Sequence, residues 1–136
     1  MNTHYLSAPS LILTIAASIG SHAVAGDVVA IMGPVAAPLT KEQVAGIFLG
    51  RGSELKPVDL PDSSAARDIF YRKATGRDAA QIRAVWARLI FTGRGKSPKE
   101  LPDAAAVKKA VAADPNLVGY IDKADVDATV KVVLSF

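Results

Sequence analysis

Cysteine is absent from the chain, and the only two histidines, His4 and His22, fall near its start. Without a thiol there are no disulfides and no thiolate nucleophile. The usual Cys/His ligand sets for zinc are missing from the body of the chain as well. With no imidazole beyond residue 22, Ser–His–Asp and Cys–His catalysis are excluded there too. Aromatic residues make up only 6% of the sequence, and no segment interleaves them with basic residues as a nucleic-acid surface would. Acidic residues are scarce between Arg67 and Lys99, where only Asp68 and Asp78 stand against a long series of arginines and lysines. A solvated helical surface accounts for such an excess, and an anionic partner is the other reading. No repeats or low-complexity tracts interrupt the pattern.

A long apolar run is also missing. The most hydrophobic stretch, Leu11-Ile12-Leu13-Thr14-Ile15-Ala16-Ala17, falls short of the roughly 20 residues that span a bilayer. Its length suits the h-region of a secretory signal, and Ala23-Val24-Ala25 supplies a small-residue cleavage site before Gly26. Residues 2–10 carry no Lys or Arg, so the positive n-region is reduced to His4 and the terminal amine. The expectation is a signal peptide over 1–25, no stable membrane insertion after cleavage, and a single domain over 26–136, large enough for one modest core.

Within 26–136 the pattern alternates. Asp27–Met32 is a continuous β-branched apolar run, as in a strand covered on both faces. Thr40 followed by Gln43 is a capping box opening a helix with Val44, Ile47 and Phe48 inward, closed by Gly50. Lys56–Leu60 reads as a second strand. A second helix spans Ser64 to Thr75 and stops at Gly76. Asp78 and Gln81 cap a third, whose apolar face is Ile82, Val85, Trp86, Leu89 and Ile90. Gly93–Pro98 is a flexible basic loop, in which two glycines flanking Arg94 would let backbone approach an anion. Asp103 caps a fourth helix with Val107, Ala110 and Val111 inward. Leu117–Ile121 is a strand in which Gly119 marks a bulge or a close approach. Asp122–Asp127 forms a helical turn, and Thr129–Leu134 is the last strand. Strands alternating with helices predict an α/β domain, layered α/β/α around a mostly parallel sheet.

The stretch Val58 to Phe70 is the candidate site. A strand end, the turn at Pro61-Asp62 and the serines Ser63 and Ser64 lead into a helix. Asp62, Ser63 or Ser64 would cap it. The amides that remain unbonded, together with the helix dipole, form a generic anion site. Asp59, Asp62 and Asp68 can be drawn as an acid–base set, but aspartates in a turn usually cap or solvate, so the chain reads as a non-enzyme. No cofactor or metal is expected.

Three segments in this order resemble the periplasmic phosphate-binding proteins that serve ABC importers. Leu39-Thr40-Lys41-Glu42-Gln43 through Ile47-Phe48-Leu49-Gly50 is similar to their "LTxxQ…IFxG". Asp62-Ser63-Ser64-Ala65-Ala66 followed by Phe70 stands where they carry "RxDGSGT…F", and Asn116–Ile121 is similar to "aIGYv". The resemblance implies one lobe of a two-lobed type 2 periplasmic binding protein, with no room for the other. It implies a periplasmic oxyanion-binding protein holding phosphate through Asp62, Ser63, Ser64, Ala65, Ala66 and Arg67. The family's arginine falls on Leu60 and its threonine on Ala66. The bidentate clamp and one hydroxyl are therefore lost, and Arg67, Arg94 and Arg51 are the candidates to replace the clamp. A second copy or a protein partner would have to supply the missing lobe. The alternative is a ligand-free interaction module on the same scaffold.

Overall fold

The computed structural model describes residues 26–136, so the signal-peptide expectation lies outside the described residues. The elements are β1 (Val28–Met32), α1 (Lys41–Phe48), β2 (Lys56–Asp59), α2 (Ala65–Thr75), α3 (Ala79–Phe91), β3 (Lys99–Glu100), α4 (Ala104–Ala113), β4 (Leu117–Asp122) and β5 (Lys131–Ser135). A single 3-10 turn, Lys123–Asp125, lies between the last two strands. Among the described residues no helix is long and apolar enough to cross a membrane.

Local chemistry sets the helix ends. Thr40 and Gln43 close one reciprocal capping box, and Asp78 and Gln81 another. The Ser64 side chain caps α2 and the Asp103 side chain caps α4. Gly76 ends α2 with φ of 71°, a left-handed conformation that costs a glycine nothing.

The five strands form one sheet in the order β3-β2-β4-β1-β5. β2 is parallel to β3 and β4, while β1 is antiparallel to both β4 and β5. All the strands except β1 therefore point the same way, and the sheet is mixed. β1 is buried along its whole length because it sits between two neighbours and under helices. Successive residues of β4 divide the helices between the faces. Gly119 faces Val107 and Val111 of α4, while Tyr120 lies against Phe48 of α1 and Phe70 of α2. The result is three layers, with α4 on one side of the sheet and α1 and α2 on the other. On the latter side the rings of Phe70 and Tyr120 stack at 4.0 Å, and Phe48 and Tyr71 pack edge-on against them.

Two expectations need correction. Ile90, assigned to the inward face of α3, is 49% exposed: the helix packs through Ile82 and Trp86, with Val85 and Leu89 partly buried beside them, and Ile90 falls at the edge of that stripe. β3 was not expected at all. It is two charged residues long, paired with β2 in the register Val58↔Lys99 and Asp59↔Glu100.

Candidate functional site

The β2–β3 pairing places the carboxyl ends of two parallel strands side by side, and the chain leaving β2 turns through Leu60–Ser63 into α2. In open α/β sheets the crevice beyond such strand ends is where ligands are usually taken. Here it is a cleft of about 330 Å³. Asp59, Asp62, Arg67, Arg83, Ser97 and Glu100 supply its polar lining, and Ile82, Trp86, Ala87 and Ile90 its apolar wall.

Asp59 anchors the corner. It is the one polar residue of the buried interior among the described residues, and its carboxylate is fully engaged. Oδ2 accepts from the Tyr71 hydroxyl at 2.6 Å, and Oδ1 accepts from the Tyr120 hydroxyl and from the Leu60 amide. Burial, and then the adjacent Asp59 charge, push both phenols far above the ordinary tyrosine range. They are therefore permanent donors, which a buried carboxylate requires.

Arg67 completes the cluster. Its Nη1 donates to the Leu60 carbonyl at 2.8 Å and lies 3.7 Å from Asp59 and 3.6 Å from Glu100. Its Nη2 lies 3.2 Å from Asp62. The guanidinium also sits 5.7 Å from the centre of the Tyr71 ring. Burial alone would depress its pKa, but Asp59, Tyr71, Tyr120 and Asp62 outweigh that and raise it. Arg67 is thus a structural cation, held by three carboxylates of the chain itself.

The remaining site residues divide. Ser64 spends its hydroxyl on the Arg67 amide at 3.4 Å, and its own amide donates to the Pro61 carbonyl at 2.9 Å. Asp62 and Ser63 are exposed, and the Asp62 carboxylate lies between Arg67 and Arg83. Among the described residues, no protein acceptor takes the amides of Ala65 or Ala66, so the start of α2 keeps unclaimed donors. Of the candidate replacement arginines, Arg67 alone reaches this corner. Arg94 lines a different cleft, and Arg51 lies in the loop after α1. The acid–base set does not assemble: Asp59 is buried among phenols, while Asp68 pairs with Arg72 one turn along the surface of α2. No group of three potential metal-ligating side chains occurs among the described residues.

Sequence reasoning missed Tyr71, Tyr120 and Glu100. Their positions 12, 61 and 41 places from Asp59 carry no local signal. A buried Asp at a strand end does need donors, and the two tyrosines beyond residue 26 were the natural ones to test.

The same architecture occurs in solved structures. Over 79% of this chain it superimposes, with a TM-score of 0.62 and 21% identity, on a Clostridium perfringens protein described as a phosphate ABC transporter substrate-binding protein with bound phosphate. It superimposes over the same share, at 0.61 and 18% identity, on an ABC-type phosphate transport receptor from Vibrio cholerae. The chain has the fold of these proteins over less than half their length. It covers 44% of the first and 45% of the second, about the extent of one lobe. No protein-family model and no curated protein matches the sequence.

Proposed function

We propose that this chain is an exported, non-catalytic oxyanion-binding module related to phosphate importer binding proteins, with the oxyanion resting on the start of α2. The observation that carries this reading is the pair of Ala65 and Ala66 amides with no protein acceptor, at the start of the helix that follows β2, on a fold whose neighbour holds phosphate. Ser63 lies beside them and is exposed.

The surrounding charge limits affinity and sets preference. Three carboxylates, Asp59, Asp62 and Glu100, face two guanidiniums, Arg67 and Arg83, so a bare anion meets net repulsion. Phosphate near neutral pH still carries a proton that Asp62 or Glu100 can accept, whereas sulfate has none to offer. Two amide bonds to a largely solvated anion correspond to a dissociation constant on the order of 1 mM. Calorimetric titration of the purified protein with phosphate and with sulfate tests this. Weak phosphate heat, smaller sulfate heat and a marked reduction of both in Ala65→Pro, which removes one of the two amides at the first helical position, where proline is tolerated, are expected. Absence of heat and of thermal shift with millimolar phosphate removes the reading.

The second reading is a scaffold that binds a protein rather than an ion. The Arg67 cluster favours it, since Arg67 is paired with three carboxylates of the chain and Arg83 with one of them. Recovery of one periplasmic partner by the wild type and equally by Ala65→Pro, with no phosphate heat in either, would select it.

A further inference from the structure

A second cleft, of about 610 Å³, lies on the other side of Trp86. Its floor is apolar, built from Ile47 of α1, Pro57 of β2, Trp86 of α3 and Leu117 of β4. Trp86 is fixed there because its indole N–H donates to the Phe48 carbonyl at 3.2 Å. Trp86 is 9% exposed, and two glycines leave room for its indole beside the cleft. A Cβ at Gly95 would stand 3.5 Å from the ring, and one at Gly50 would stand 3.2 Å from it and 2.4 Å from Leu89.

The rim is basic. Lys56, Arg94, Lys96 and Lys99 all line the cleft, and no acidic residue does. All four are exposed, and none forms an ion pair among the described residues. The neighbouring Glu100 alternates to the opposite side of β3, where it joins the Arg67 cluster. Four uncompensated cations around an apolar floor form a cleft of ligand size, whose shape and charge match one chemistry. A bare inorganic ion would leave the floor in water, and a neutral apolar molecule would leave the cations unmatched.

We infer that this cleft binds an organic anion with an apolar body, its charged head on Arg94 and Lys96 and its body against Trp86. The site shares no donor with the start of α2, and the Arg94 and Lys96 substitutions leave that helix untouched, so the two proposals succeed or fail separately.

Trp86 is the chain's single tryptophan and reports occupancy directly. The full protein is titrated with octanoate while indole emission is followed, and calorimetry is run in parallel. Octanol, octyltrimethylammonium and acetate serve as controls lacking the charge, reversing it or lacking the body. A saturable emission shift with octanoate is expected, weakened by added salt, with binding at least about tenfold weaker for each control. Arg94→Gln/Lys96→Gln, both at exposed positions, should keep the circular dichroism spectrum and weaken octanoate at least about tenfold. Equal binding of any control, unchanged affinity in the double variant, or no octanoate response in either measurement overturns the assignment.

Discussion

The Tyr71 hydroxyl donates to Asp59 Oδ2 at 2.6 Å across 12 residues of sequence, tying the second turn of α2 to the end of β2. With the Tyr120 hydroxyl on the other carboxylate oxygen, the bond joins α2, β2 and β4 through one buried charge. Arg67 then covers that charge from the cleft side. The arrangement explains how a carboxylate is buried in a small domain: each oxygen accepts from a buried donor, and a guanidinium offsets the charge.

Removing the acceptor should therefore be costly. Asp59→Ala would leave two buried phenols without their acceptor and Arg67 without its buried partner. A loss of about 3–5 kcal/mol is expected from breaking such a pair on one side, read as a fall in the urea midpoint. Asp59→Asn keeps one acceptor oxygen and should cost less. Tyr71→Phe and Tyr120→Phe should each cost about 1–2 kcal/mol and be non-additive in a double-mutant cycle, because both act through the same carboxylate.

The same phenols make the fold sensitive to alkali. Both folded-state values are raised, while in the unfolded chain tyrosine titrates near about 10. Below that pH both states hold the protons and the stabilisation is fully present. Above it the unfolded state sheds protons that the native state keeps, so stability falls as pH rises. Each phenol contributes a slope of about 1.4 kcal/mol per pH unit. Thermal melts from pH 9 upward should show a steep decline, roughly halved in Tyr71→Phe. Phenolate absorbance from Tyr71 and Tyr120 should appear only together with unfolding.

What could be read beforehand was whatever a few adjacent residues decide. Thr40 with Gln43, Asp78 with Gln81, and Gly76 each act within one helical turn, and all stand where the sequence placed them. The apolar run of β1 correctly implied cover on both faces, but strand direction depends on which strands become neighbours. β1 is antiparallel because β4 and β5, some 90 residues later, flank it. At the site, a cap from Asp62, Ser63 or Ser64 was legible because it is local, and Ser64 is the one that forms it. The closure of Arg67 by Glu100 was not, because β3 is too short and too charged to announce itself as a strand.

Gly119 tests the close approach between β4 and α4. A Cβ there would lie 2.5 Å from Val107 Cγ1 and 3.1 Å from Val58 Cγ2, both in the buried core. Gly119→Ala should destabilise by about 1–3 kcal/mol through overpacking. Val107→Ala alone should destabilise through a cavity. The double variant should be more stable than the sum of the two losses implies, because the new methyl enters the space that the valine leaves. Additive losses in chemical denaturation would mean that Gly119 is required for another reason.

Asp127 offers the opposite linkage at the acid end. The Thr129 hydroxyl and amide and the Lys108 ammonium all donate to its carboxylate. Those bonds, the Thr129 hydroxyl first, lower its pKa to about 2. A depressed carboxylate stabilises the fold above the unfolded value near about 4. That contribution disappears as pH falls through the folded value. The effect is small because the group is exposed and screened, so the direct measurement is the carboxyl carbon shift of Asp127 followed by NMR. Its midpoint should lie near about 2 in the wild type and move toward the ordinary value in Thr129→Val, which removes the hydroxyl donor. Lys108→Met, which removes both a donor and a positive charge, should raise it as well. If Lys108→Met moved the midpoint further than Thr129→Val, the ammonium reaching over from α4, and not the hydroxyl within the turn, would be the main cause of the depression.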